Sequence, residues 1–221
     1  MKHKNRKQKL LNKLNTSCQE EHFLSRKTAR QLLETEYDEP TSEDRIDLLN
    51  NVNSLISRVF MAAQDLITHK NLEIKIAKRV DEIPYISNET EFKYSYTGDD
   101  GCLVECKQRI VEGEDICVAL VCEDSLIIGY GIAVTKNKKC KVEIVDVDRY
   151  SRRESGLFEI FQFSGQNFQV GVGHVLVKAL MDNCQRPIYA NATNSSSRYI
   201  FKSLGFIHND RNDNPCILML T

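Results

Sequence analysis

Phe158-Glu159-Ile160-Phe161-Gln162-Phe163 is followed by a polar segment, Ser164 to Val170, and then by Gly171-Val172-Gly173-His174-Val175-Leu176-Val177-Lys178-Ala179-Leu180. The order reads as strand, polar loop, Gly-x-Gly turn and amphipathic helix. It turns backbone N–H groups toward one spot at the positive end of a helix, which suits a phosphate or pyrophosphate. Two glycine-rich motifs are excluded by spacing. A dinucleotide fingerprint needs a third glycine three residues after Gly173, where Leu176 stands. A P-loop needs Gly-Lys-Ser/Thr after four spacer residues, and no such tripeptide follows.

Downstream, Pro187 to Ala192 reads as a short strand. Asn194-Ser195-Ser196-Ser197 carries helix-cap chemistry, Arg198 to Leu204 reads as a helix, and Gly205-Phe206 ends it. Upstream, Leu72 to Ile83 reads as a strand and the start of a helix. Ile116 to Cys122 and Leu126 to Val134 are two strands joined by a tight turn at Glu123-Asp124-Ser125. Ile128-Gly129-Tyr130-Gly131 lies in the second. A further strand is expected from Cys140 to Tyr150, in addition to the one at Phe158.

The Gly171-Val172-Gly173 turn, Asn194, and Gly205-Phe206 eleven residues after it resemble the two motifs of the Gcn5-related N-acetyltransferase (GNAT) superfamily. Ile128-Gly129-Tyr130-Gly131 is similar to that superfamily's strand signature. The resemblance covers roughly Leu72 to Thr221, about one domain. It implies an α/β fold with a splayed, mixed, mostly antiparallel sheet flanked by helices, preceded here by a helical N-terminal region. The division is 1–71 and 72–221. It implies acetyl transfer from acetyl-CoA to a primary amine on a small molecule or protein, by direct attack within a ternary complex. Two positions depart from the pattern. Phe168 stands at the arginine/glutamine place of the first motif, with Gln169 one position late. Phe201 stands where the superfamily's tyrosine usually protonates the departing thiolate.

The resemblance, with the needs of acetyl transfer, implies these roles. The amides around Gln169, Val170, Gly171, Val172, Gly173 and His174 hold the pyrophosphate. Main-chain N–H groups at Phe161 or Phe163 polarise the thioester carbonyl. Glu159, the one acid on its strand, where the resemblance implies a catalytic glutamate, is expected to take the amine proton; the alternative is an edge charge or an ion-pair partner. His174 packs or contacts phosphate. Asn194 serves the cofactor arm, the helix cap, or both, and Phe201 flanks the cofactor. Tyr199 is the candidate acid, ahead of Ser197, although a thiolate can also leave to water unaided. Asp146 and Asp148, sharing a strand face with Ile144, would attract a cationic amine. A non-catalytic acyl-CoA-binding or regulatory module, acting through the helical N-terminal region, is the second reading; Phe168 and Phe201 favour it.

Composition bounds the remainder. The 221 residues carry a formal charge of −1 and 41% hydrophobic residues, an ordinary globular balance. No apolar run approaches the roughly 20 residues of a membrane span, and the basic start from Lys2 to Lys13 lacks the apolar core of a signal peptide. A cytoplasmic protein is expected. The eight cysteines are spread without a Cys-x-x-Cys pair, which reads as buried reduced thiols. The spacings of Cys102, Cys106, Cys117 and Cys122 are poor for zinc, so no metal is expected. The basic start is read as a solvated end, with nucleic acid or anionic membrane as the alternative. A helix from Asp44 to about His69 carries an apolar stripe that must be buried within the chain, in a homodimer, or on a protein partner.

Overall fold

The computed structural model describes residues 42–84, 101–136, 141–149, 156–163, 166–208 and 216–221. The basic start lies outside these residues. The first described element is helix α1 (Ser42–His69), whose stripe at three-four spacing is buried inside the chain from Leu55 onward. Leu55, Val59, Ala63 and Leu66 are 2% exposed or less, and Ile56, Phe60 and Ile67 are half-buried beside them. Full burial of each such leucine or valine is worth about 1.5–3 kcal/mol. Val59, Ala62, Ala63 and Leu66 belong to the same core as the sheet.

The main sheet is built from β1 (Glu73–Ala77), β2 (Asp115–Glu123), β3 (Leu126–Lys136), β4 (Lys141–Arg149), β7 (Ile188–Asn191), β8 (Ile207–His208) and β9 (Ile217–Leu220). Among the described residues its order is β1-β2-β3-β4-β7-β9-β8. Only β4 and β7 pair parallel; the other neighbours are antiparallel. β2 and β3 are apolar on both faces and almost wholly buried. They are joined by Asp124-Ser125, both at positive φ (51° and 69°), as a two-residue turn matched to strand twist demands. Helix α2 (Gly101–Val111) packs on β2, burying Leu103 and Cys106.

Helix α3 (Val172–Asn183) makes the crossover that a parallel pair requires and lies across β2, β3 and β4. It comes close because β3 has Gly131 beneath it. A Cβ on Gly131 would stand 3.1 Å from Leu180 Cδ1 and 3.7 Å from Leu176 Cβ. Helix α4 (Ser195–Ser203) follows β7.

Three expectations are corrected. Among the described residues Phe158–Phe163 (β5) is not a strand of the main sheet: it pairs with β6 (Gln166–Gly171), in a separate hairpin. The residues expected to form a polar loop are thus largely the second strand of that hairpin. The cause is aromatic packing: Phe168 stacks on Phe161 at 5.5 Å and meets Phe163 edge-on at 6.3 Å. The strand expected as an addition, Lys141–Arg149, is instead a central one between β3 and β7. Finally, Ile144 and Asp146 do not share a face. Ile144 stands opposite Ala133 and Asp146 opposite Ile132, so Val145 is an extra residue in a β-bulge. Adjacent residues of β3 point to opposite faces, and so do their partners.

Gly131→Val should drive two methyl groups into Leu176 and Leu180 and cost about 1–3 kcal/mol. Urea unfolding beside the wild type checks this; an unchanged midpoint would mean that α3 does not lie this close.

Candidate active-site cleft

β4 and β7 pair at three positions only: Val142 with Ile188, Glu143 with Tyr189, and Ile144 with Ala190. Beyond these the strands part. β4 continues to Arg149 past the bulge at Val145, while β7 ends at Asn191. The chain after β7 is drawn the other way, because Ala192 N–H donates to the Cys216 carbonyl at 2.8 Å. A cleft of about 350 Å³ opens in the gap. Val147 of β4 and Val177 of α3 line it on one side; Asn194, Ser196, Ser197, Ile200 and Phe201 line it on the other.

The α4 wall is pinned at both ends. Asn194 Oδ1 accepts the Ser197 N–H at 2.8 Å, and Ser197 Oγ donates to the Asn194 carbonyl at 2.9 Å. This is the N-cap that the residue types announce. At the other end Gly205 has φ +95°, Gly205 N–H donates to the Lys202 carbonyl (3.0 Å) and Phe206 N–H to the Phe201 carbonyl (3.1 Å). That is a Schellman motif, completed by the Phe201–Phe206 ring contact at 5.1 Å. Phe201, 5% exposed, is thereby held as an apolar wall of the cleft.

The expected site residues divide into two groups. Asn194 and Phe201 line the cleft. Asp146 does not line the cleft; it lies half-buried on β4 next to Val147, on the opposite face of the sheet. The side chain of Asp148 lies outside the described residues; its backbone pairs with Tyr130. The others are gathered elsewhere. Glu159 Oε1 lies 3.2 Å from His69 Nδ1 at the end of α1, the ion-pair role held as its alternative. Phe161 and Phe163 belong to the hairpin's own aromatic cluster, so their main chains do not edge the splayed gap. Gln169, Val170 and Gly171 stand opposite Ile160, Glu159 and Phe158 as strand residues. Gly171 is extended (φ −133°), a conformation open to any residue.

Val172, Gly173 and His174 form the first turn of α3, and all three are buried. His174 Nδ1 accepts the Gly171 N–H at 3.2 Å, so a neutral ring carries its proton on Nε2. The ring packs edge-on against Tyr199 at 5.5 Å. The Tyr199 hydroxyl donates to the Gln169 carbonyl at 3.0 Å. Tyr199 therefore ties α4 to the hairpin and lines a separate space of about 40 Å³, not the cleft. Val147, Val177, Ser196 and Ile200 were missed by sequence reasoning; small or apolar side chains carry no chemical signature of their own. Among the described residues no helix is long and apolar enough to cross a membrane, and no group of three or more potential metal ligands is present.

No protein-family model and no curated protein matches the chain. Solved structures do show likeness. A GNAT-family acetyltransferase from Bacillus cereus ATCC 10987 is 19% identical, with a TM-score of 0.41, over 67% of this chain and 97% of that one. YncA from Salmonella typhimurium, solved with its cofactor acetyl-CoA, is 18% identical, also with a TM-score of 0.41, over 68% and 93%. A mutant of the toxin AtaT, bound to the C-terminus of the antitoxin AtaR, is 16% identical with a TM-score of 0.36, over 67% and 92%. At these TM-scores the likeness supports no step of chemistry, which rests on this chain's own residues.

Gly205→Ala should cost about 1–2 kcal/mol, the penalty of a left-handed backbone for an L side chain. Its Cβ would also stand 3.4 Å from Ile56 Cδ1 of α1. Chemical denaturation measures the loss; a neutral substitution would mean that α4 does not end in this motif.

Proposed function

We propose that the chain is an acetyl-CoA-dependent N-acyltransferase acting on a primary amine, with the reaction centred where β4 and β7 part. The observation that carries this is the cleft itself. A parallel pair that opens after three residues gives a bound chain molecule a passage between strands, walled by α3 and by a doubly capped helix. The lining fits a pantetheine arm. Val147, Val177, Ile200 and Phe201 suit its methylene segments, while Asn194, Ser196 and Ser197 offer partners for its amides. The first turn of α3 supplies the helix end suited to pyrophosphate, through the N–H groups of Val172, Gly173 and His174.

Acetyl-CoA brings a thioester activated for acyl transfer. This chain supplies the surroundings. Beyond Ile144 the β4 edge that faces away from β3 has no strand partner among the described residues, so main-chain N–H groups on that edge are available to the thioester carbonyl. Val147 is the residue whose main chain we assign this role, in place of Phe161 or Phe163. Asp146, on the opposite face of the same strand, accepts the proton of the attacking ammonium or draws the cation in; Asp148 joins it by alternation. The Phe201 ring has no proton to donate, and the Tyr199 and Ser197 hydroxyls are engaged with the Gln169 and Asn194 carbonyls, so the thiolate leaves to solvent.

The non-catalytic acyl-CoA-binding module remains the second reading. It is favoured by that missing acid and by the burial of the first turn of α3. Turnover separates the two.

Calorimetry with acetyl-CoA and the full chain should show binding that disappears in Ser196→Trp, which fills the cleft, while circular dichroism stays native. Binding unaffected by Ser196→Trp would place the cofactor elsewhere, and absence of binding by a folded wild type would end the acetyl-CoA reading.

With polyamine and lysine-peptide acceptors, Asp146→Asn should lower kcat by roughly 10²-fold or more, the range of general-base loss. Glu159→Gln should stay within about twofold, because an exposed ion pair is worth about 0–1 kcal/mol and touches no cleft residue. The reverse ranking would return the base to Glu159. Acetyl-CoA binding without turnover on any amine would favour the non-catalytic module.

A further inference from the structure

A second cavity, of about 180 Å³, lies at the far end of α3, away from the cleft. Two cysteines line it. Cys117 is on β2, opposite Ala133, on the sheet face that α3 covers. Cys184 is the residue that ends α3, its N–H bonded to the Leu180 carbonyl at 2.9 Å. Cys117 is 6% exposed and Cys184 is half-buried. Both residues line this one cavity, although they come from distant parts of the chain.

We propose that Cys117 and Cys184 are a reactive dithiol pair that closes to an intrachain disulfide when a peroxide reaches this cavity. The surroundings separate the roles of the two sulfurs. Lys78 also lines the cavity, its ammonium fixed by donation to the Asn183 carbonyl at 2.9 Å, one residue before Cys184. The Cys184 thiol and then the Lys78 charge hold the Cys117 thiol below its ordinary range, against burial and the carboxylate of Asp115. The Cys117 sulfur, with burial, pushes Cys184 upward, so it keeps its proton. Cys122, on the same strand, is pushed upward chiefly by burial and stays a structural thiol.

The steps balance. The Cys117 thiolate attacks one oxygen of hydrogen peroxide, the O–O bond breaks, and hydroxide leaves to be protonated to water. Cys117 is now a sulfenic acid, oxidised by two electrons. The Cys184 sulfur attacks the Cys117 sulfur, the S–O bond breaks, and the departing hydroxide takes the Cys184 proton. The sum is two thiols and one hydrogen peroxide giving one disulfide and two waters. The bond ties the end of α3 to β2 and closes a long loop, which restricts the unfolded chain.

The reduced, desalted full-length chain is exposed to hydrogen peroxide, remaining thiols are blocked with N-ethylmaleimide, and tryptic peptides are mapped by mass spectrometry. A cross-linked pair containing Cys117 and Cys184, released by dithiothreitol, is the expected result. Peroxide should also raise the apparent melting temperature of the wild type and not that of Cys184→Ser. Recovery of both residues as maleimide adducts while other cysteines are oxidised would overturn the proposal. So would wild-type Cys117 recovered as sulfinic acid without the cross-link. The mapping needs no variant, so a misfolded Cys184→Ser would not affect it.

Discussion

The structure turns on the brevity of the β4–β7 contact. A parallel pair in mid-sheet ordinarily runs the length of its strands; here it lasts three residues. Two features end it. The bulge at Val145 adds a residue to β4 and increases its local twist. On the other side, Ala192 N–H is captured by the Cys216 carbonyl and the Ala192 carbonyl by Arg198 Nε at 3.2 Å. Each such bond is worth only about 0.5–1.5 kcal/mol net, yet together they commit the chain after β7 to the β9 side. The sheet is opened by competition for backbone partners, and α4 is then capped across the opening.

Keeping an opened sheet rigid requires support from one side. α1, the hairpin, α3 and α4 supply it as an interlocked layer. α1 touches β5, β6, α3 and α4. Its Ile56 lies under Gly205 at the end of α4, and its His69 meets Glu159 of the hairpin. Tyr199 joins α4 back to the hairpin. The apolar stripe of α1, which in sequence allowed a partner chain, is spent on this layer. Helix α1 is thus part of the frame that holds the cleft walls, and the motif residues Glu159 and Tyr199 serve that frame.

What was legible in the sequence was whatever depends on local chemistry. β2 and β3 are continuous apolar runs with a two-residue turn, Asn194 caps the helix it precedes, Gly205 ends it, and α1 shows its stripe at helical spacing. What was not legible depends on a partner strand. Lys141–Arg149 alternates apolar and charged residues, the pattern of an outer strand, yet it is central, between β3 and β7. Phe158–Phe163 looks like a sheet strand, but its aromatics find Phe168 first and fold the segment on itself. The bulge is invisible in β4 alone. Val145 is one valine among alternating residues, and only the β3 register shows that it has no counterpart.

That one residue decides which face of β4 Asp146 occupies, and so its place in the proposed reaction. Without the bulge, Asp146 would share the face of Ile144, under α3, where a carboxylate would be buried against apolar side chains at a cost of several kcal/mol. With it, Val147 returns to the α3 face and Asp146 goes to the other. Two adjacent residues of β4 therefore present an apolar wall to the α3 side and an acid to the opposite side. A strand at a parted edge is reachable from both faces, so donor and acceptor can approach the same backbone from opposite directions without competing for space. Glu159 stands elsewhere: its strand pairs with β6 and packs on α1, and its carboxylate meets His69. In the proposed reaction the acceptor side of the sheet is the face of Asp146, whose charge favours a cationic amine.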